Sequence, residues 1–297
     1  MDDIFREQIT GYRSEMEGIR GVSSNTVKSY LTDIKQFAEF LKTNSISSFY
    51  SVNERIIRTY LSFLNDNGLE KATIGRKLSS LRSFYDYLLR TQNNAGNVLK
   101  HIKNPKVSRK LPEIIPDNTF VVLLDSIKKN ESPPDDLIFS AILELLYGCA
   151  LRVSEVCSLK LSDVSLDAKS LRVLGKGSKY RIVPLGSKSV LTIKQYMTWR
   201  ISRSEFDNLL LTSKRKPVYE RFVYRIVNKY LKEVASLERN SPHILRHSAA
   251  THMMNNGADL MAVKEILGHE NLSTTQIYTH VSIEMLKKAY KSAHPKS

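Results

Sequence analysis

Cysteine is nearly absent. Only Cys149 and Cys157 occur in 297 residues. Their spacing fits neither a CxxC metal site nor a disulfide scaffold, so reduced thiols and a cytoplasmic setting are expected. Long apolar runs are missing too. No stretch of about 18 apolar residues occurs, which predicts no membrane span and no membrane partner. The first residues, MDDIFREQIT, are polar and acidic where a signal peptide would be basic and then apolar. There is no internal repeat and no low-complexity tract. A P-loop sequence and a clustered carboxylate or cysteine metal site are also absent, so neither ATP, a metal nor another cofactor is expected.

Positive charge, by contrast, is plentiful. Lys and Arg number 45 against 30 Asp and Glu, a net +15. Residues 1–104 carry a net +4 and the remainder a net +11. Nucleic acid is the commonest partner for such an excess, because neutralised phosphates release counterions. A basic soluble protein without a polyanion partner is the plainer alternative, since charge alone names no site.

Helical spacing dominates the first hundred residues. A weaker pattern covers residues 4–17. In TVKSYLTDIKQFAEFL, Val27, Tyr30, Leu31, Ile34, Phe37, Phe40 and Leu41 form one stripe. A third helix reads from Glu54 to Leu64, with Ile57, Tyr60, Leu61 and Leu64 inward, and a fourth through KATIGRKLSSLRSFYDYLL, with Ile74, Leu78, Leu81, Tyr85 and Leu88. These predict a bundle of about four helices over residues 1–102. KNPKVSRKLPEIIP, residues 103–116, breaks every period with three prolines and several basic residues, and reads as an extended interdomain linker.

Residues 117–297 read as a second domain of mixed type. Helices are expected at 117–129 and 135–148. LRVLGKGSKYRIVPL then switches to a β pattern around Gly175-Lys176-Gly177-Ser178, a hairpin with a flexible tip, and a short strand near 163–167 completes a small sheet. Further helices are expected near 187–203, 219–236, 242–256, 259–267, 274–280 and 282–291. The fold class is therefore mainly α with a small β-sheet, in two domains.

The chemistry concentrates in SPHILRHSAATH, residues 241–252. Ser241 is a good N-cap and Pro242 a good first helical residue. His243 then sits in the first turn, where orphan N–H groups attract anions. At about 100° per residue, His243, Arg246 and His247 share one face. A phosphate clamp, a metal site and ordinary packing histidines are all open on this stretch alone. The metal alternative is weakened because HILRH lacks the glutamate of HExxH and puts Arg246 between the ligands. Downstream, Leu267-Gly268 offers a left-handed helix end just before His269, and Ser273 with Gln276 is a capping-box pattern that places Tyr278 inside a new helix. Upstream, Arg152 and Glu155 sit three apart, either a surface ion pair or an arginine oriented by a carboxylate.

Four segments occur in order: LRVSE, GKGSKYRIVPL, SPHILRHSAATHMMNNGADL and LGHENLSTTQIYTH. Together they resemble the motifs of the tyrosine recombinases, the phage integrase family, and in particular the Xer type of bacteria. The helical first part resembles that family's core-binding domain, so the likeness covers nearly the whole chain. It implies that Arg152 is the first catalytic arginine and Glu155 its supporting acid. It implies that Lys176 is the hairpin lysine, His243 and Arg246 the HxxR pair, His269 the second histidine and Tyr278 the nucleophile. His247 and His252 are expected to pack. Only the resemblance separates Lys176 from Lys179. One departure is Cys149-Ala150, where the family often has Thr-Gly; Arg152 keeps its frame.

The implied reaction is transfer of a DNA phosphoryl group to a tyrosine and back. Double-stranded DNA is the expected partner, held by a homo- or hetero-tetramer on two synapsed sites. A second Xer recombinase and a septal DNA translocase are further partners that the likeness brings. The C-terminal segment SIEMLKKAYKSAHPKS, with Ile283, Leu286 and Tyr290 in register, would exchange between neighbours. Resolution of chromosome dimers at a dif-like site, with links to chromosome partition and cell division, is the expected role. Integration or inversion of a mobile element, a type IB topoisomerase-like relaxing activity, and a DNA-binding protein with a dead site are the alternatives. No arm-type DNA-binding domain is expected before the bundle, which would favour a simple Xer-like system over a phage integrase.

Overall fold

The computed structural model describes residues 3–18, 22–91, 98–106, 113–116, 118–175, 179–200, 207–235, 237, 240–268, 290 and 292–294. The chain divides into two compact units, Met1–Lys110 and Leu111–Ser297. Both are built mainly from α-helices, and a small sheet lies in the second.

The first unit holds α1 (Asp3–Gly18), α2 (Ser24–Thr43), α3 (Glu54–Asp66) and α4 (Lys71–Thr91). Ser23 and Asn53 start α2 and α3 by accepting from the Thr26 and Ile56 amides at 3.2 and 3.1 Å. The apolar stripes face one core. Ile34, Phe37, Ile57, Leu78, Leu81 and Phe84 are all buried in it. Phe49, on a short 3-10 turn that helical periodicity does not reveal, sits 4.7 Å from the rings of both Phe5 and Phe84, edge to face. Asp33 is buried too, because Lys77 donates to it at 3.0 Å, Ser80 at 2.7 Å, and Arg76 completes the cluster. Leu99 and Ile102 extend this core, whereas Ile115 belongs to the second.

The second unit begins with α5 (Thr119–Asn130) and α6 (Asp135–Leu143). The helix expected over 135–148 forms, but not with one geometry throughout. Glu144–Gly148 widens into a π turn, closed by the Cys149 amide on Glu144 O at 3.1 Å. Close packing accounts for it. Ser189 donates to Glu144 Oε1 at 2.6 Å, and a Cβ on Gly148 would meet those two side chains at 2.5 and 2.8 Å. Then comes α7 (Val153–Ser158), a helix absent from the sequence expectation.

Strands β1 (Val164–Ser165), β2 (Ser170–Leu174) and β3 (Tyr180–Pro184) form an antiparallel sheet in that order. Leu171 faces Val183 and Val173 faces Arg181. Helices α8 (Ser187–Arg200), α9 (Glu220–Val234), α10 (Pro242–Asn255) and α11 (Leu260–Leu267) complete the described part. The helices expected at 274–280 and over most of 282–291 lie outside the described residues. Tyr290 and Ala293 are described and are buried, with the Tyr290 hydroxyl donating to Gly148 O and Asn256 Nδ2 to Ala293 O at 2.8 Å. No helix among the described residues is long and apolar enough to cross a membrane.

Candidate active site

Arg152 is the N-cap residue of α7, in extended backbone conformation. The carboxylate three residues on turns back to it. Glu155 Oε2 accepts from the Arg152 amide at 2.8 Å, and Oε1 accepts from Arg152 Nη1 at 2.8 Å. Glu155 is buried, so this is more than the surface ion pair that spacing alone allows.

A second arginine meets the same carboxylate. Arg181 Nη1 and Nη2 donate to Glu155 Oε1 and Oε2 at 2.8 and 2.9 Å, a two-pronged pairing. Sequence reasoning missed Arg181. The signal was the strand period: in YRIVP, Arg181 and Val183 share a face, and Val183 is core. Arg246, from α10, completes the cluster with Nη1 at 3.5 Å from Glu155 Oε2.

All three guanidiniums also cap one helix end. Arg181 Nε donates to Ile266 O at 2.9 Å, Arg246 Nη2 to Leu267 O at 2.6 Å and Arg152 Nη2 to Gly268 O at 3.1 Å. These are the last carbonyls of α11, which lack intrahelical partners and carry the negative end of the helix dipole. The backbone turns there because Gly268 takes φ +62°, as its position after Leu267 suggested. Glycine is required a second time, since a Cβ would lie 3.0 Å from Arg181 Cδ.

The electrostatics follow from the count. Three cations surround one carboxylate, which leaves a local excess of two positive charges. Burial alone would raise the Glu155 carboxyl, but hydrogen bonds from Arg181 and Arg152 outweigh it and hold the group below the usual range. Arg246 is pushed down to about 10, by burial first and then by Arg152, with Glu155 opposing and Arg181 adding to the fall. An anion arriving here would relieve that repulsion. Arg152 is the accessible member, its side chain 33% exposed against 7% for Arg181 and 10% for Arg246.

On α10 the expected face divides. Ser241 occupies the N-cap, although its side chain makes no cap bond, and Pro242 follows. His243 is exposed, with Nε2 3.3 Å from the Tyr224 hydroxyl. His252 packs as expected, buried with Nδ1 2.8 Å from the Tyr147 hydroxyl. His247 does not pack, for it lies on the exposed side of the helix. Among the described residues no group of three His, Cys, Asp or Glu side chains could hold a metal ion. Cys157 is pushed up to about 12, by burial and then Glu220, so it is a poor nucleophile.

Lys176, His269 and Tyr278 lie outside the described residues. Gly175 and Lys179, either side of the hairpin tip, and Gly268, just before His269, are described. The Gly175 amide bonds Lys179 O at 2.8 Å and closes the base of the hairpin, with Lys179 exposed. The capped end of α11 leads straight into His269.

Comparison with known proteins gives this geometry a family. Residues 115–285 match the phage integrase family, and residues 9–92 match the phage integrase N-terminal SAM-like domain. The chain belongs to the phage integrase family, the tyrosine recombinases. A tyrosine recombinase XerC of Pelobacter propionicus is 40% identical over 98% of this chain and 96% of its own length. A tyrosine recombinase XerD of Staphylococcus saprophyticus is 36% identical over the whole of both. Among solved structures, the XerH site-specific recombinase bound to a palindromic difH substrate is 26% identical at a TM-score of 0.72, covering 91% of this chain and 80% of that one. This tyrosine recombinase is thus of the Xer type, and site-specific DNA recombination is its activity. A lambda integrase dimer bound to a core site shares the fold at a TM-score of 0.71 and 16% identity, over 94% of this chain and 80% of that one.

Proposed function

We propose that this enzyme cleaves and rejoins double-stranded DNA through a 3′-phosphotyrosine intermediate, with Arg152, Lys176, His243, Arg246, His269 and Tyr278 as its catalytic residues. The supporting observation is the arginine cluster. Two positive charges in excess, one of them partly exposed, form a receptor for a phosphodiester. Arg152 and Arg246 grip the non-bridging oxygens and stabilise the pentacoordinate transition state. His243 and His269 add donors. The Tyr278 oxygen attacks phosphorus, one P–O bond forming as the bond to the 5′ oxygen breaks. Free tyrosine is only about a thousandth ionised at pH 7, and nearby cations favour the phenolate. The leaving oxygen takes its proton from Lys176, on the glycine-flanked hairpin tip, with Lys179 the competing donor. The ester keeps the bond energy. Attack by a 5′ hydroxyl from a second duplex then reverses the step without ATP or metal.

The biological role follows the relatives named XerC and XerD. The enzyme resolves chromosome dimers at a dif-like site in the cytoplasm, and so serves chromosome partition and cell division. The first unit acts as a core-binding domain. Four subunits act in pairs on two synapsed sites, with a second Xer recombinase and a septal DNA translocase as further partners. The tail bearing Tyr290, seated here on its own chain, exchanges between neighbours in that assembly.

A nicked suicide duplex tests the chemistry. The wild-type protein should form a covalent adduct visible on a denaturing gel. Tyr278→Phe should lose the adduct and keep DNA binding. An adduct formed equally by that variant would move the nucleophile to another residue.

A further inference from the structure

We infer that Arg181 is a positioning residue for the strand-cleavage step, a brace that holds the phosphate-gripping arginines and the lysine hairpin in one frame. This rests on the proposed grip of Arg152 and Arg246 on the scissile phosphate.

Arg181 is not placed to grip phosphate itself. Its Nη1 and Nη2 donate to Glu155, its Nε donates to Ile266 O, and only 7% of its side chain is exposed. Its contacts instead join three parts of the site. The first is the Glu155 carboxylate, which orients Arg152 through both the amide and Nη1. The second is the end of α11, where Arg181 also lies under Gly268, whose added Cβ would come within 3.1 Å of Arg181 Nε and Nη1. The same helix end accepts from Arg246 and Arg152 and leads directly to His269. The third is the hairpin. Arg181 sits on β3 opposite Val173, five residues after Lys176 in the sequence. Whatever fixes Arg181 therefore fixes the root of the hairpin relative to the arginine pair.

The brace depends on the guanidinium fork. A lysine would keep the charge, but its single ammonium cannot make the paired bonds to Glu155 and reach Ile266 O as well. Misplacing a group by about 1 Å at a distance from the chemistry costs about 100-fold in rate.

The test uses full-length protein and a nicked duplex enriched by the wild-type chain from a randomised pool. Two forms are made, one with the ordinary phosphodiester and one with a neutral methylphosphonate where the wild-type adduct maps. Arg181→Lys should form the adduct about 100-fold more slowly on the phosphodiester, with unchanged DNA affinity. On the methylphosphonate the deficit should shrink to about tenfold or less, because there is no phosphate charge left for misplaced arginines to neutralise. Arg181→Met leaves Glu155 paired with Arg152 and should behave alike, and it carries the comparison if the lysine variant melts early. Wild-type rates in both variants, or an equal deficit on both duplexes, would overturn the brace. A wild-type protein that forms no adduct on either duplex would overturn the catalytic proposal itself, and the brace with it.

Discussion

Ala150 shows how one side chain bears on the site. It holds φ +50°, in the left-handed region. An L-residue there crowds its Cβ against the following carbonyl, at a cost of about 1–2 kcal/mol. The conformation persists because it aims the Ala150 carbonyl at Arg246, whose Nη1 donates to it at 2.6 Å. The family often has glycine at this position, and glycine would relieve the strain while losing more backbone entropy on folding, about 0.5–1 kcal/mol. Ala150→Gly should therefore raise stability by up to about 1 kcal/mol in urea melts and leave adduct formation unchanged. A large loss of stability would show that the methyl group, 1% exposed in the core, matters more than the backbone.

At the scale of elements, legibility followed the length of each pattern. Helices α2 to α4 of the first unit were plain and α1 fainter, because stripes such as Ile74, Leu78, Leu81, Tyr85 and Leu88 repeat over several turns and all five residues are buried. The β hairpin was legible from its change of period, and the end of α11 from Gly268. The π geometry of Glu144–Gly148 and the segment on to Ser158 were not. There a π turn, a left-handed alanine and a six-residue helix follow one another, each too short for any period to register. Arg246 and Arg152 stand out by their spacing to His243 and Glu155, and the family motifs give them their roles, whereas nothing in the local spacing singles out Arg181. The carboxylate that joins these elements makes its own prediction. Glu155 links α7, β3 and α10, and its carboxyl is held below the usual range. A depressed carboxyl stabilises the fold fully above its unfolded value of about 4.3, and the contribution is lost as pH falls through the folded value. Glu155→Gln should cost about 3 kcal/mol at pH 7, because it leaves three guanidiniums uncompensated. Urea melts of both proteins should converge as pH drops below about 4. A gap that stays constant over that range would mean that Glu155 contributes shape alone.

At the scale of the molecule, charge is shared more evenly than the sequence boundary implied. Dividing the chain after Lys110 gives residues 1–110 a total of 18 Lys and Arg against 11 Asp and Glu, and residues 111–297 a total of 27 against 19. Lys106, Arg109 and Lys110 make the difference from the earlier split at residue 104. Each unit also has a core of its own, the first around Phe37, Phe49 and Phe84, the second around Leu143, Tyr147 and Leu245. Both are therefore equipped to meet the phosphate backbone, and salt can tell whether both do. Each phosphate contact steepens the fall of log affinity with log salt by about 0.9. The full chain should show a slope steeper by about 2 or more than that of residues 111–297 alone, with the fragment first shown to melt cooperatively. Equal slopes would mean that the net +7 of the first unit is not directed at DNA, and that the second unit supplies the electrostatic attraction unaided.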